Sequence, residues 1–532
     1  MSSLTRLSGA LLLSTMLATT AVLPAQASGV MRLDEVPVGE LDPAKALDNA
    51  DSLLMFNVYD TLVLPAQGQP GHVPHLATGW TIDGNVFTFT LRDGVKFQSG
   101  NPFTADDVIF SIDRMKAIGQ GNSYLFQIVE SAVALDPMTV QITLSETYSP
   151  FIASLIRLPI LDRAEVMEHL GPGEGEMGDW GQAWLSTHAA GSGAYEVVSH
   201  NPQAETVMVR NPDYFLGVPE AAPDEVHLLY GLEAATVRAM IATGDHDISS
   251  QWLPPEVLAA MVGDGAHLLQ QAGVGGFYIK LNTLKAPLDD MNCRRALVNA
   301  FDYATAVAIN QVTPDVAAAV PATGAITVGM FGANPREDGV LTRDMDAARA
   351  YLADCAYDPA DYTIELSWIA EVPLEERLAL LMQQNFGELG FKSEIVRVPW
   401  ALYTDLVSSP ETTPHVSQIA VNAVTGDPDT LFYPMYHSSQ AGTWQSPEYL
   451  NDAEVDAALE RGRTAADPEE RDAAYHALND RLMELAPTIY AYDLNEVFAA
   501  SPRVTVPAME DPAYDFSLDA MGLTFRLIVM ND

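Results

Sequence analysis

His72 and His75 stand three residues apart, a spacing at which a helical face could hold a metal ion, but Pro74 between them argues against a helical pair. The rest of the 11 histidines are scattered and show no tight ligand spacing. The chain has no H-E-x-x-H, no G-x-S-x-G, no phosphate loop and no C-x-x-C. Residues Gly171 to Gly178 (GPGEGEMG) superficially suggest a phosphate cradle. No Lys or Ser/Thr follows at the needed spacing, and Glu174 and Glu176 would repel phosphate, so this segment reads as a surface loop. With 71 Asp and Glu residues, no carboxylate pair stands out as an acid–base couple. The residues therefore point to no catalytic centre, no metal and no cofactor. What remains is binding, which needs aromatic walls and a few polar groups that orient a ligand.

The elements that would position such a site begin with Pro74 to Arg114. Trp80 to Arg92 alternates apolar and polar about a turn at Asp83-Gly84, with Phe87 and Phe89 on one face and Thr88 and Thr90 on the other. A second turn at Asp93-Gly94 leads through Val95 to Phe97. Thr104 then opens a helix, with Asp107 three residues on and an apolar stripe at Val108, Ile109, Ile112 and Met115. A helix carrying Leu53, Leu54, Phe56 and Tyr59 precedes this unit. Beyond it, strands at 139–144, 195–199, 363–367, 391–398 and 488–498 alternate with helices at 294–302, 341–355, 375–389 and 452–484. Gly390 is placed to cap the third of these helices. Strand–helix alternation argues an α/β lobe with helices covering a sheet.

Residues 1–27 read as a secretory signal. Arg6 is the basic start, Leu7 to Leu23 is apolar, and Ala25-Gln26-Ala27 is a small-x-small cleavage pattern without a lipid-accepting Cys. The remaining roughly 500 residues are too many for one core, so two or three lobes are expected. The net charge is −44, and lysine is confined to positions 45, 96, 116, 280, 285 and 392. Such a surface repels nucleic acid and anionic membrane. The acids are spread along the chain, as on a solvated or salt-adapted surface, with attraction of a cationic ligand as the alternative. The two cysteines, Cys293 and Cys355, are read as a disulfide in an oxidising compartment, the alternative being two buried thiols. A bond would close a loop of about 60 residues and stabilise by roughly 4 kcal/mol.

The run W-x(8)-F-x-L-R-x-G-V-K-F-x-x-G-x-P-x-T-A-x-D-V-x-F-S from Trp80 to Ser111 closely resembles the signature of the periplasmic solute-binding proteins of peptide- and nickel-type ABC importers, extracellular solute-binding protein family 5. Gly191-Ser-Gly-Ala-Tyr195 and Arg210-Asn-Pro-Asp-Tyr-Phe215 resemble further motifs of that family, with Ala194 in place of the usual proline. The resemblance implies a class II periplasmic-binding-protein-like α/β fold: two lobes joined by two crossing segments, near 277 and 486, with an extra α+β subdomain on the first lobe. Lobe I would take residues 28–63, 188–277 and 486–532, the inserted subdomain 64–187 and lobe II 278–485. It also implies a monomeric, periplasmic protein of a Gram-negative bacterium. Such a protein captures a small molecule or short peptide and delivers it to inner-membrane ABC permease subunits with their ATPases. Two alternatives stay open, a nickel or metal-chelate carrier supported only by His437, and an exported hydrolase.

Positions matching the family's cleft supply the candidate ligand residues. Tyr124 falls where oligopeptide-binding relatives place a cleft tyrosine, and Trp400 where they place a tryptophan. Trp252 follows the strand 247–251, Phe277 and Tyr278 lie at the first crossing, and Tyr490 and Tyr492 lie on the return strand. In Ile419 to Leu431 (IAVNAVTGDPDTL), peptide-binding relatives carry an Asp that pairs with the ligand's α-amine. Anchored on Pro428, that position is Val424, and a tryptophan position is Val421. Asp427 and Asp429 lie further on, while Asn422 and Thr425 offer neutral hydrogen bonds. A buried ammonium without a carboxylate costs several kcal/mol, so a sugar, a polyol, a modified peptide or another neutral metabolite is expected.

Overall fold

The computed structural model describes residues 29–46, 49–67, 71–333, 339–509 and 522–531. The signal segment expected at 1–27 lies outside them. Among the described residues, no helix is long and apolar enough to cross a membrane.

Three sheets carry the molecule. The first is four-stranded, in the order Val30–Glu35, Glu225–Tyr230, Glu205–Arg210, Tyr195–Asn201, with the first pair parallel and the rest antiparallel. Its inner face buries Met31, Leu33, Met208, Val226 and Leu228 against the helix Asn49–Val58.

The second sheet is the antiparallel subdomain, in the order Ala77–Asp83, Val86–Leu91, Thr139–Leu144, Val129–Asp136. Here the signature run folds as its alternation dictates. Phe87, Phe89 and Leu91 are buried while Thr90 is exposed, and Gly84 takes φ 59 at the turn. The helix Ala105–Ile118 covers the apolar face. The Asp107 carboxylate accepts the Thr104 N–H at 2.8 Å, and Gly119 ends the helix at φ 66. Two buried polar joints fasten this subdomain to the first lobe. Arg114 forks onto Asp42 with two bonds of 2.7 Å, both side chains fully buried. Asp60 accepts from Ser192 (2.7 Å) and Tyr214 (3.0 Å) and contacts His75 Nε2 at 2.7 Å.

The third sheet has six strands, ordered Ala319–Val320, Thr488–Ala500, His267–Leu281, Val416–Asn422, Thr363–Ile369, Lys392–Val398. Two of them are unusually long and pair with each other along most of their length, from His267↔Ala500 to Lys280↔Thr488. The ladder shifts register between Ala272 and Gly276, opposite Asn495 and Asp493. A Cβ at Gly275 would come within 1.9 Å of the Val421 carbonyl, so only glycine lets the neighbouring strand approach there. Beyond the break, Ala499 and Ala500 lead back to the first sheet through Ile248, which bridges both Ala500 and Leu33.

Helices flank both faces of this sheet. Met291–Ala300 and Pro373–Gly387 pack on one apolar cluster with Phe277, Ile279 and Tyr492. Ala453–Thr464 and Pro468–Leu485 pack on the other with Tyr278, Ile419 and Tyr490. The single helix expected over 452–484 is thus two helices. Asp467 accepts the Glu469 N–H and Pro468 occupies the first turn, which starts a new helix and cannot continue the old one.

Cys293 and Cys355 form a disulfide across 62 residues, tying the helix Met291–Ala300 to the segment after Met345–Ala353. Loop-closure entropy for that separation predicts that Cys293→Ala/Cys355→Ala lowers the stability of this lobe by about 4 kcal/mol. Denaturant titration of the double variant checks this, and an unchanged midpoint would show that the bond constrains nothing.

Candidate ligand-binding site between the lobes

The strand Val416–Asn422 ends at the register break of the long pair, where Gly275 faces Asn422. The chain then runs Ala423 to Pro428 into the helix Asp429–Tyr436 and meets the first lobe on the way. Val424 is half-buried against the apolar core of the subdomain, and its carbonyl accepts from the Arg157 guanidinium. Arg157 also donates to Ser52 Oγ at 2.8 Å and lies over the Phe56 ring at 5.1 Å. Tyr148 of the subdomain donates its hydroxyl to Asp429 at 2.8 Å, and the Ser149 N–H reaches the Arg463 carbonyl at 2.9 Å. On the surface, Arg377 pairs with Glu256 at 2.6 Å across the same division. The two lobes are therefore closed on each other.

Both acids of this segment already have cationic partners. Asp427 pairs with Arg471 at 2.6 Å and accepts the Asp429 N–H at 2.9 Å. Asp429 takes the Arg463 fork at 3.1 and 3.2 Å. Burial raises the Asp429 carboxyl, opposed by Arg463. Burial also holds the nearby His72 imidazole down at about 4, only partly offset by Asp427, so it stays uncharged at neutral pH. The Thr425 hydroxyl is buried and shares its contacts with Thr430 Oγ1 (3.1 Å) and the Asp427 N–H (3.4 Å).

Between the subdomain and the second lobe lies a cavity of about 590 Å3, walled by Tyr124, Glu146 and Tyr148 on one side and Asp429, Tyr433 and Arg463 on the other. A second group of polar atoms sits at the crossing. Tyr278 OH, Thr327 Oγ1 and Asn422 Oδ1 are buried there. Thr327 Oγ1 lies beside both the Tyr278 hydroxyl and the Asp493 carboxyl.

The structure separates the residues that the sequence grouped together. Tyr124 is 52% exposed and lines the cavity. Trp400 is 43% exposed at the start of the helix Trp400–Leu406, stacked on Tyr403 at 5.6 Å and edge-on to Trp444 at 5.5 Å. Trp252 is 57% exposed on the first lobe, four residues before Glu256 of the surface bridge. Asn422 ends its strand at the crossing. Phe277 and Tyr492, by contrast, stack on each other at 5.1 Å inside the second lobe's core, and Tyr278 and Tyr490 pack edge-on at 6.1 Å in the opposite cluster. Sequence reasoning missed Arg157, Arg463, Arg471 and Tyr148, whose partners lie far away in the chain, and Glu146, an acid on a loop with no motif.

Histidines His75 and His437 are engaged elsewhere. His75 is held by Asp60, and His437 engages Ser439 Oγ at 2.7 Å and Glu460 at 3.3 Å. Among the described residues, the one group of three with metal-ligand spacing is Asp290 with Cys293 and Cys355, whose sulfurs are bonded to each other.

Two lobes closed over a junction, bridged by a pair of continuous strands, define a binding protein that holds its solute between them. The chain belongs to the bacterial extracellular solute-binding proteins of family 5, whose model matches residues 71–443. It is similar to the probable D,D-dipeptide-binding periplasmic protein of Escherichia coli (strain K12), with 26% identity covering 87% of this chain and 88% of that one. It is similar to the heme-binding protein A of Haemophilus influenzae, with 27% identity covering 86% and 85%. Its fold matches an ABC transporter substrate-binding protein of Listeria monocytogenes with a TM-score of 0.81, 18% identity and coverage of 95% and 100%. It also matches a Campylobacter jejuni protein solved with Ni(L-His), with a TM-score of 0.75, 20% identity and coverage of 94% and 100%. Members of this family serve as the substrate-binding components of peptide- and nickel-type ABC importers.

Burial holds the Asp493 carboxyl up at about 7, opposed by the Val328 N–H that it accepts at 3.2 Å. An acid raised in the folded state binds its proton more tightly there than in the unfolded chain. Its contribution is therefore most favourable below about pH 4 and is lost as the pH rises to about 7. Asp493→Asn should remove that slope, matching the parent near pH 4 and exceeding its stability at pH 8 by up to about 4 kcal/mol. Denaturant titrations at both pH values check this, and a loss of stability at pH 8 would contradict it.

Proposed function

We propose that this protein, once its first 27 residues are removed, works as a monomer in the periplasm of a Gram-negative bacterium. It closes its lobes over a small organic solute and delivers the solute unchanged to an inner-membrane permease with its ATPases. The relatives' roles as substrate-binding components support this reading. The division into lobe I, inserted subdomain and lobe II belongs to this reading, although Thr488–Ala500, assigned with lobe I, runs in the six-stranded sheet beside His267–Leu281.

The observation that carries the ligand class is the state of the carboxylates beside Val424. Peptide-binding relatives place an Asp there for the α-amine. Here the side chain is apolar, and both nearby acids are engaged by Arg471 and Arg463. An ammonium seated at Val424 would have no free anionic partner, which costs several kcal/mol in a buried site. The solute therefore meets this point with a neutral group, as an N-blocked or modified peptide or a sugar-like metabolite would. Tyr124, Trp252, Trp400 and Asn422 remain the ligand-facing candidates.

Native mass spectrometry of protein purified gently from periplasm, followed by identification of the released solute, tests the reading. A neutral or N-blocked solute is expected, and a set of ordinary peptides with free amino termini would overturn it. Trp400→Ala should weaken binding of the recovered solute about tenfold while leaving the fold intact. Unchanged affinity by isothermal titration calorimetry would remove Trp400 from the site.

A further inference from the structure

The cavity of about 590 Å3 between the subdomain and the second lobe is of a size that holds a small organic molecule. Most of the groups on its walls are already engaged. Arg463 forks onto Asp429 and lies 3.4 Å from the centre of the Tyr433 ring. His437 stacks on that same ring at 4.4 Å. The Tyr148 hydroxyl is donated to Asp429. Glu460 accepts from the Tyr433 hydroxyl at 3.3 Å and contacts His437 at 3.3 Å.

Two lining groups are not engaged in this way. Among the described residues, Glu146 makes no ion pair or hydrogen bond, and the half-exposed Tyr124 ring stacks on no other ring. Of the charges on the walls, Arg463 balances Asp429 and Glu460 contacts His437, which leaves the exposed Glu146 without a counter-charge among the described residues. An aromatic face together with an unpaired carboxylate is the pairing that recognises an organic cation.

We propose that this cavity receives a cationic group of the solute, a guanidinium or an ammonium remote from the end that meets Val424, with Glu146 as its counter-charge and Tyr124 as its aromatic wall. The inference rests on the interlobe reading above and deepens it. The solute is neutral where relatives recognise an amine and positive where this chain offers a free acid.

The test compares N-acetyl-alanyl-arginine amide with the same compound carrying citrulline, which replaces the guanidinium by a neutral urea of nearly equal shape. Isothermal titration at low salt should favour the arginine compound about tenfold. Glu146→Gln should abolish that preference without changing the affinity for the citrulline compound. Glu394→Gln, at an exposed acid on the strand Lys392–Val398, controls for general attraction to an acidic protein and should leave the preference intact. Equal affinity for the two compounds, binding of neither, or an equal response to Glu146→Gln and Glu394→Gln would overturn the assignment. The mass-spectrometric identification stands apart from these outcomes, because a neutral solute recovered from the protein would support the interlobe reading while removing the cation from it.

Discussion

Everything in this molecule hangs on two strands, His267–Leu281 and Thr488–Ala500, that run unbroken through both lobes and pair with each other for most of their length. A ladder of backbone hydrogen bonds resists shear, so the lobes cannot slide independently. Where the register slips between Ala272 and Gly276, the pairing is locally lost and the strands can bend. That placement confines relative motion to a hinge. It also sets the strand Val416–Asn422 directly beside the break, so the segment that follows it runs on to meet the subdomain.

The electrostatics of the closed junction follow from a shortage of cations. A chain with a net charge of −44 has few bases to distribute, and three of its arginines stand where a carboxylate would otherwise be stranded. Arg114 answers Asp42 between subdomain and first lobe, and Arg471 answers Asp427 at the root of the ligand segment. Arg463 answers Asp429 beside the Tyr148 contact. Removing one member of such a pair leaves a buried charge uncompensated, which costs far more than the pair itself contributes. The arginines thus hold the 424–429 segment in one conformation and deny its acids to any incoming ligand.

The local parts of this architecture were legible in the sequence because their causes are local. Alternation over Val86–Leu91, the Thr104–Asp107 cap and the turn at Gly84 are all determined within a few residues. The ligand residues were less legible. Period-two alternation separates the two faces of a strand, but the second lobe's sheet is covered by helices on both faces. Phe277 and Tyr278 therefore both end in apolar clusters, and neither side of the pattern marks the cleft. The partners of Asp427 and Asp429 lie 44 and 34 residues downstream, on helices whose mutual angle no spacing reveals. Asp452 to Glu484 read as one helix because it is rich in Ala, Glu and Arg throughout, although Pro468 carried the signal that one ends and another begins.

On the proposed reading, selectivity at the junction rests on exclusion as much as on attraction. An ammonium approaching Val424 meets an isopropyl group that offers no counter-charge, beside a carbonyl already taken by the Arg157 guanidinium. The arginine's own positive charge adds repulsion in a site with little water to screen it. Replacing an acid by valine therefore does more than weaken binding of an amine, because the neighbouring cation now opposes it. A neutral acyl or hydroxyl group meets neither penalty, and the arginine is already satisfied by Val424 and Ser52. On the reading proposed above, valine at this point together with the cation beside it turns an amine-recognition point into an amine-excluding one without altering the fold that presents it.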